Sequence, residues 1–492
     1  MTAGAAAAAA AAGNSALRGG TDTASGPEAV GPVVADARAA QPWWEGLGFA
    51  GRKKVLDAWR VLILRRAEEL VDLIRAETGK TADDARLEVV LVADHLRWSA
   101  AHAARVLGRR RVRSGLLMFN QSATVEYRPL GVVGVIGPWN YPAFIPIGPV
   151  AAALAAGNTV VLKPSELTPG VGRWLADTLA EAVPGPAVLR VVTGGGQTGA
   201  ALCRAAVDKI SFTGSSATGR RVMAACAQNL TPVVIEGGGK DAMIVAADAD
   251  LDAAADAAVW AAMSNAGQTC VGLERVYVVA EVADGFLRLV GDRAGALRTG
   301  ERPDADLGPI VLPRQIEVIR AHVQDAVARG ARLVLGGPES FAPPHVAPIV
   351  LADVPEDSIA LTEETFGPVL VVNRVASVDE AVARANAVSY GLGASVYTRD
   401  RAQGRSIAGR LRAGMVSVNA VIAFAGIPAL PFGGVGDSGF GRVHGPDGLR
   451  EFSRSQAVTS QRFRPFMQPN SFARDPGTMR ALLRMVRALY GR

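Results

Sequence analysis

The sequence predicts an α/β protein built on parallel sheets, and three observations support this prediction. At 492 residues, of which 49% are apolar, the chain is too long for one simple hydrophobic core. Its 55 glycines follow no collagen-like period and suit tight turns and close backbone approaches. Strand-like and helical segments alternate along the middle of the chain, which is the βαβ pattern of a parallel sheet covered by helices.

The N-terminal third of the chain divides into three stretches. Residues 1–35 are rich in Ala, Gly, Ser and Thr, and this low complexity predicts a disordered tail. From Gly51 to about Val106 the apolar residues recur with a helical period. After Gly115, "ATVEYRPLG" alternates as an exposed strand does, and "GVVGVIGP" is typical of a buried strand.

Alternating elements then continue toward the C-terminus. Helices are predicted over 170–183 and 217–228, and a second α/β region runs from about Asp241 to Arg442. The late segment "EFSRSQAVTSQRF" alternates weakly, like an edge strand. The strands predicted between 158 and 239 are "NTVVLKP", "VLRVVTG", "DKISFTG" and "TPVVIEGGG".

Charge and cysteine content favour an intracellular protein without a nucleic-acid partner. The net charge is +6, and residues 462–492 alone contain seven Arg against one acid, so the remaining body is nearly neutral. No nucleic-acid-binding signature accompanies the basic pI. Three cysteines provide neither a disulfide framework nor metal-ligand spacing, so no metal site is predicted and a reducing, cytoplasmic setting is expected. The run Ala5–Ala12 lacks the basic region of a signal peptide, and no apolar run is long enough to span a bilayer.

Two residues are candidates for covalent chemistry. Cys270 lies in "SNAGQTC", where small residues let the backbone approach a substrate, although a single cysteine is usually a small buried hydrophobe. The Cys270 thiol would need thiolate character to act as a nucleophile. Glu236 ends an apolar strand before "GGGK", at the sheet edge where α/β proteins bind ligands. It is placed to act as a general base, although many strand-end glutamates only face solvent.

Two loops are candidates for contacts with a dinucleotide. Gly214 and Ser215, in "SFTGSSATG", lie between a strand and a helix, where backbone N–H groups can meet a pyrophosphate. Lys163 and Glu166, in "LKPSE", follow a strand and are within reach of ribose hydroxyls. Neither loop has the complete Rossmann glycine fingerprint, and each alone would be a weak signal.

Seven motifs in one order connect these residues to a known family. Together they resemble the aldehyde dehydrogenase superfamily from Pro42 to Arg462, most closely its class-three and actinobacterial succinic-semialdehyde-type branches. The motifs are "GPWNYP", "LKPSE", "FTGSSATG", "EGGGK", "GQTC", "EETFGP" and "PFGGVGDSGFGR".

The resemblance implies a role for each matching residue. Cys270 matches the nucleophile, Glu236 the base that activates the hydrolytic water, and Asn140 the oxyanion-hole donor. The other matching positions imply contacts with NAD or NADP. Lys163 and Glu166 match adenosine-ribose contacts, Gly214 and Ser215 the pyrophosphate turn, Glu364 the nicotinamide-ribose ligand, Phe366 a residue beside the nicotinamide, and Trp139 a pyrophosphate-side or pocket-wall position.

The resemblance also implies a domain arrangement and a homo-oligomer, either dimer or tetramer. It gives a Rossmann-type cofactor domain (36–115 and 131–238) and an α/β catalytic domain (239–445). A small β oligomerisation flap (116–130 and 453–466) precedes a C-terminal tail (467–492). The chain departs from the family pattern where Gly237 replaces the usual Leu and Asp241 a frequent Asn. Three consecutive glycines are expected to loosen the turn after Glu236 and slow deacylation.

Cofactor and substrate are only partly predicted. Glu166 suits the ribose of NAD and repels a 2′-phosphate, which favours NAD over NADP, although Lys163 offsets the repulsion. The segments "NYPAFIPIG" and "NAVIAFAGIP" contain no charge, so an apolar aliphatic or aromatic aldehyde is favoured over succinic semialdehyde. Glu236 argues against a CoA-acylating enzyme. A catalytically silent scaffold of the same fold is a further alternative, and the three catalytic-type residues argue against it.

The tail after Arg462 suggests a surface role. Over Thr478–Tyr490 the apolar residues fall on one helical face and Arg480, Arg484 and Arg487 on the other. Such a helix docks on the body or a second subunit, lies peripherally on an anionic membrane, or stays disordered.

Overall fold

The computed structural model describes residues 25–182, 185–302, 304–465 and 468–491. It corrects the prediction that the disordered tail extends to residue 35, because a 3₁₀ turn at Pro27–Ala29 lies within that stretch and the helix Val30–Gly46 begins there. Val30, Val33 and Val34 are buried at helical spacing, so this helix packs on the body through a valine stripe that the alanine-rich composition conceals. Residues 1–24 of the predicted tail lie outside the described residues.

Helices account for much of the described chain. The predicted helical region up to Val106 is formed by three helices in succession, Gly48–Arg65, Ala67–Thr78 and Ala82–Leu107. The helices predicted over 170–183 and 217–228 are confirmed as Pro169–Ala182 and Ser216–Ala227. The other α-helices are Phe144–Ala156, Gly196–Arg204, Leu251–Met263, Ala283–Gly295, Pro313–Ala328, Ile359–Thr362, Val378–Ala385, Arg401–Ala408, Gly445–Glu451 and Thr478–Tyr490.

A six-stranded sheet forms the first α/β layer and contains the strands predicted between 131 and 239. Its strands are parallel except for Gly439–Phe440, which pairs antiparallel with the strand that ends at Glu236. A late segment of the chain therefore returns to cover the edge beside Glu236. The spatial order is Gly439–Phe440, Val233–Glu236, Lys209–Thr213, Val132–Ile136, Thr159–Lys163 and Leu189–Val191.

A seven-stranded sheet forms the second layer. It is parallel except for the edge strand Arg332–Leu335, and its five inner strands are buried along nearly their whole length, as strands covered on both faces are. The spatial order is Arg332–Leu335, Ile349–Ala352, Val369–Val375, Leu273–Val279, Asp241–Val245, Gly393–Tyr397 and Met415–Val418. Phe341–Ala342 and His345–Val346 form a separate two-stranded hairpin.

A small antiparallel sheet stands apart from both layers. Gln121–Pro129 pairs with Ser453–Gln461, so the strand predicted late in the chain is confirmed. Arg110–Val112 is its third strand, although we assigned that stretch to the cofactor domain. The strand at the opposite edge of this sheet, Ser453–Gln461, is exposed almost throughout. No helix in the described part of the chain is long and apolar enough to cross a membrane.

Candidate active site

A cavity of about 1040 Å³ lies where the two layers meet. It opens at the carboxyl ends of Val132–Ile136, Thr159–Lys163 and Lys209–Thr213, where parallel sheets bind ligands. Pockets that hold small ligands usually occupy roughly 300–1,000 Å³, so the cavity has room for an extended dinucleotide.

The cavity brings together the residues that the sequence predicted for the site. Glu236 is absent from the cavity wall and lies behind it, hydrogen-bonded to Cys270. The nine predicted residues that line the cavity are Trp139, Asn140, Lys163, Glu166, Gly214, Ser215, Cys270, Glu364 and Phe366.

Cys270 and Glu236 form the centre of the site. The Cys270 Sγ–H donates to Glu236 Oε1 at 3.6 Å, and Thr213 Oγ1 donates to Glu236 Oε2 at 3.4 Å. Glu236 is buried at the end of its strand, whereas Cys270 is only half-buried. The carboxylate is therefore held in contact with a thiol that a ligand in the cavity can reach.

Burial sets the protonation of this pair. Loss of solvent raises the pKa of Glu236 to about 7, and the hydrogen bonds from Cys270 and Thr213 oppose part of that rise. The pKa of the Cys270 thiol is raised well above its usual value by burial and by the nearby carboxylates of Glu236, Glu364 and Asp241. The resting thiol is therefore protonated, and its proton points at a carboxylate that titrates near neutrality.

Two N–H groups beside Cys270 have no protein acceptor among the described residues. Asn140 Nδ2 donates one hydrogen to Gln268 O at 3.0 Å, and no described residue accepts the other. The backbone N–H of Cys270 likewise has no described acceptor, although unpaired N–H groups near the interior are uncommon. Both groups are available to an oxygen atom bound in the cavity.

Sequence reasoning missed the buried ion pair that holds the Asn140 loop. Lys80 Nζ lies 3.0 Å from Glu88 Oε2 and donates to Asn140 O at 2.7 Å. Glu88 Oε1 accepts from the N–H groups of Ala143 and Phe144 at 2.7 and 2.9 Å, where the next helix begins. A sequence signal existed, because Glu88 falls on the same helical face as buried apolar residues of Ala82–Leu107.

A second missed ion pair holds the loop that carries Glu364 and Phe366. Lys240 pairs with Glu274, both buried, and Lys240 Nζ donates to Thr365 Oγ1 at 3.0 Å. Glu274 also accepts from the N–H groups of Thr365 and Phe366. The pair fixes the backbone of the loop directly.

The side chains of that loop enclose one end of the cavity. Glu364 Oε1 accepts from Gly239 N at 3.0 Å, and burial raises the pKa of Glu364 to about 8. Phe366 adopts a left-handed backbone (φ 51°), and its ring meets Trp139 edge-to-face at 5.7 Å. These rings form a rigid apolar wall on which a planar heterocycle can pack.

The opposite end of the cavity is more open. Glu166 has a side chain that is 59% exposed and lies 3.7 Å from Lys163 Nζ, which donates to Pro164 O at 2.9 Å. Ser215 caps the helix Ser216–Ala227 by accepting from Thr218 N. The helix start beside Gly214 and Ser215 is suited to bind a phosphate. Arg204 and Arg221 line this end as well.

The expectation of a loose glycine turn after Glu236 does not fit the structure. Gly237 N donates to Ser438 O at 3.0 Å, and Ser438 Oγ donates to Gly238 O at 2.7 Å. A Cβ on Gly237 would lie 2.6 Å from Asp437 O, so the backbone of 436–438 occupies the space of the missing side chain. The turn is packed from both sides, and this close approach explains the glycine.

The two remaining cysteines lie outside the pair at the centre. Cys203 and Cys226 are buried free thiols within the helices Gly196–Arg204 and Ser216–Ala227.

Comparison with known proteins agrees with the geometry. A model of the aldehyde dehydrogenase family matches residues 19–458. The chain belongs to this family. Its NAD(P)-dependent aldehyde oxidation, its α/β fold and its classification as an oxidoreductase follow from that membership.

This aldehyde dehydrogenase is similar to proteins of more than one named activity. A Mycobacterium ulcerans protein, provisionally named an NADP(+)-dependent succinate-semialdehyde dehydrogenase, is 40% identical over 88% of the chain and 85% of its own length. A Methylomonas protein named 4,4'-diapolycopene aldehyde oxidase is 39% identical over 91% and 84%. An NAD-dependent aldehyde dehydrogenase structure from Sinorhizobium meliloti matches with a TM-score of 0.86 and 35% identity, covering 91% of this chain and 89% of that one.

Proposed function

We propose that this aldehyde dehydrogenase oxidises an apolar aldehyde to its carboxylic acid through a thioester on Cys270. The observation that carries the proposal is the 3.6 Å contact between Cys270 Sγ and Glu236 Oε1 at the head of the cavity. A half-buried thiol facing a carboxylate of pKa about 7 is a nucleophile with its base in place.

The first half of the reaction uses Cys270 and the two unpaired N–H donors. Glu236 takes the thiol proton as sulfur adds to the aldehyde carbon, and the oxygen of the thiohemiacetal binds Asn140 Nδ2–H and Cys270 N–H. Loss of one oxyanion donor typically lowers the rate about 10²–10³-fold. When bound, the nicotinamide supplies the hydride acceptor for this step, and the carbon is left as a thioester on Cys270.

The second half uses Glu236 again. After the proton taken from the thiol has passed to solvent, its carboxylate removes a proton from water and the resulting hydroxide adds to the thioester carbon. The Cys270 thiolate then leaves and is reprotonated by Glu236. This role requires the ionised carboxylate, so deacylation accelerates as the pH rises through about 7.

The apolar surroundings of Cys270 support the proposed substrate class. The thiol packs beside a cluster that includes Val271, Ile422, Phe424 and Phe432. The segment that supplies Phe424 also exposes Ile427 and Leu430, and it contains no charge. A substrate carboxylate buried there would lack a cation, which is costly. Succinic semialdehyde is the alternative, favoured by the name of the mycobacterial relative.

We favour NAD as the cofactor and retain NADP as the alternative. Glu166 at the open end accepts from ribose hydroxyls and repels a 2′-phosphate, and a similar structure, PnpE, has been solved with nicotinamide adenine dinucleotide. Lys163, Arg204 and Arg221 line the same end and would attract a phosphate, which supports NADP. The Glu166→Gln variant should therefore show a higher ratio of activity with NADP to activity with NAD.

The exposed edge strand Ser453–Gln461 supports a homo-oligomer. Its outer row of backbone groups has no strand partner among the described residues, and a second copy can cover it. Three free cysteines fit the reducing cytoplasm that we propose as its location.

Formation of the reduced nicotinamide tests the function directly. NAD and NADP are each offered with acetaldehyde, long-chain aldehydes, aromatic aldehydes and succinic semialdehyde, and Cys270→Ala serves as control. We expect turnover with long-chain or aromatic aldehydes that disappears in the control. Preference for succinic semialdehyde would overturn the substrate class alone, whereas a folded enzyme inactive with every pair would overturn the function.

A further inference from the structure

The helix Thr478–Tyr490 leaves most of its apolar face in water. At about 100° per residue, six of its large apolar side chains fall within about one third of the circumference. Four of them are strongly exposed in the folded chain. These are Met479 at 47%, Leu483 at 50%, Leu489 at 47% and Tyr490 at 64%.

The opposite face of this helix is basic. Arg480, Arg484 and Arg487 lie on it, and all three are exposed. From residue 462 to the end the chain has Asp475 as its single acid. The tail therefore combines a continuous apolar face with an uncompensated positive charge, which is the composition of helices that lie in the surface of a bilayer.

A second exposed apolar patch adjoins the point where the tail leaves the body. The Phe119 ring packs on Phe463 at 5.5 Å, and Arg462 N donates to Asn120 O at 2.8 Å. Leu117, Met118, Phe119 and Phe463 are each about half exposed. The start of the tail thus emerges beside apolar side chains that remain about half exposed.

We propose that the helix Thr478–Tyr490 docks this enzyme on an anionic lipid surface. A nucleic acid would satisfy the arginines and leave the apolar face in water. A second copy of the same face would cover the apolar side chains but would leave the six helix arginines on the outside of the pair, with no tail carboxylate except Asp475 to pair with them. An anionic bilayer accepts the apolar face and attracts the arginines together.

Vesicle sedimentation of the full-length protein tests this proposal. Sucrose-loaded vesicles of phosphatidylcholine, with and without phosphatidylglycerol, are mixed with the enzyme at low and high salt. We expect binding only when phosphatidylglycerol is present and weaker binding at high salt. Removing three surface charges in Arg480→Gln/Arg484→Gln/Arg487→Gln should lower the partition coefficient about a hundredfold.

Matched variants distinguish vesicle binding through the helix from nonspecific attraction by surface charge. Arg65, Arg401 and Arg405 are exposed on the body, so their triple replacement by Gln removes the same charge and should leave vesicle binding unchanged. Leu483→Ser/Leu489→Ser should weaken binding while turnover without vesicles stays at the native level. Equal losses in the tail and body variants, or no binding to anionic vesicles, would overturn the proposal. A change of oligomeric state in the leucine variant without vesicle binding would assign the face to a second copy.

Discussion

Two buried Lys–Glu pairs support the two loops that flank Cys270, and they are built alike. In each pair the carboxylate accepts from two consecutive backbone N–H groups, Ala143 and Phe144 for Glu88 and Thr365 and Phe366 for Glu274. In each pair the ammonium also donates to the supported loop. A buried ion pair contributes little net stability, so positioning is the better explanation for both.

The pairs differ in the loop that they hold. Glu88 and Lys80 fix Asn140, which supplies the proposed oxyanion donor, whereas Glu274 and Lys240 fix the loop that carries Glu364 and Phe366 at the cofactor end. The same arrangement of a buried Lys–Glu pair thus supports two separable functions. Damage to the first pair should appear in turnover, and damage to the second in the cofactor KM.

The largest effect is expected from Glu88→Gln. It leaves Lys80 charged and buried without its partner, which should lower the free energy of unfolding by about 3–5 kcal/mol. Turnover should fall at least about tenfold with the NAD KM unchanged, because Asn140 loses its support. Urea unfolding and steady-state kinetics measure the two effects.

A matched control exists at Glu77. Its carboxylate also accepts from two consecutive N–H groups, Gly170 and Val171, but it does so at the start of a helix that carries no proposed catalytic residue. Glu77→Gln should therefore lower stability without lowering turnover. An equal loss of turnover in the two variants would show that general destabilisation, and not the position of Asn140, is responsible.

Glu274→Gln should have a somewhat smaller effect on stability, toward the lower end of about 3–5 kcal/mol, because Glu274 is slightly exposed whereas Glu88 is fully buried. The cofactor KM should rise several-fold while the aldehyde KM stays constant, because the Glu364 loop moves. Cofactor titration by fluorescence checks this split. A selective fall in turnover at saturating cofactor would contradict the assignment of this pair to cofactor binding.

Glu236 contrasts with Glu88 and Glu274, because it is also buried but has no lysine partner among the described residues. Its folded pKa of about 7 lies above the ordinary value of 4.5, so its contribution to stability is complete below pH 4.5 and is lost as the pH rises through 7. Glu236→Gln should therefore stabilise the protein at pH 8 by up to about 3 kcal/mol while abolishing turnover. Thermal unfolding at pH 5 and pH 8 measures this; equal stabilisation at both pH values would refute the assignment.

Gly237→Ala is expected to cost about 1–3 kcal/mol, since the new Cβ meets Asp437 O in a packed turn. The larger side chain of Gly237→Leu should lower the free energy of unfolding further, and it should not accelerate deacylation. Denaturant unfolding of both variants measures the cost, and a faster Gly237→Leu enzyme would restore the idea of a loose turn.

The smallest effect is expected from Thr213→Val. Removing the Thr213 hydrogen bond, which stabilises the carboxylate form, should raise the pKa of Glu236 further and move the acidic limb of the turnover profile to higher pH. A pH–rate profile of both enzymes reports the shift. An acidic limb at the same pH in both enzymes would show that a group other than Glu236 is responsible for it.

Local patterns predicted much of this fold, and the misses have physical causes. Strand and helix alternation located five of the six strands of the first sheet, because Val- and Ile-rich runs between glycines have few other conformations, and missed Gly439–Phe440. The helix Val30–Gly46 was missed because its valine stripe lies in alanine-rich sequence. Cys270 and Glu236 stood out by motif, but the lysine partners of Glu88 and Glu274 did not, since Lys240 and Glu274 meet only across adjacent strands.

The central claim is that the reaction passes through a thioester on Cys270. Its most direct test is the mass of the peptide that contains Cys270 during turnover. Glu236→Gln enzyme is mixed with NAD and a long-chain aldehyde, quenched in acid, digested and weighed by mass spectrometry. The proposed mechanism predicts one acyl group on the peptide that contains Cys270. The group forms more slowly than in the native enzyme, because the thiol has lost its base, but it accumulates with time because water is no longer activated. Acylation of Cys203 or Cys226 instead, or formation of one reduced nicotinamide per site without any acylated peptide, would contradict it.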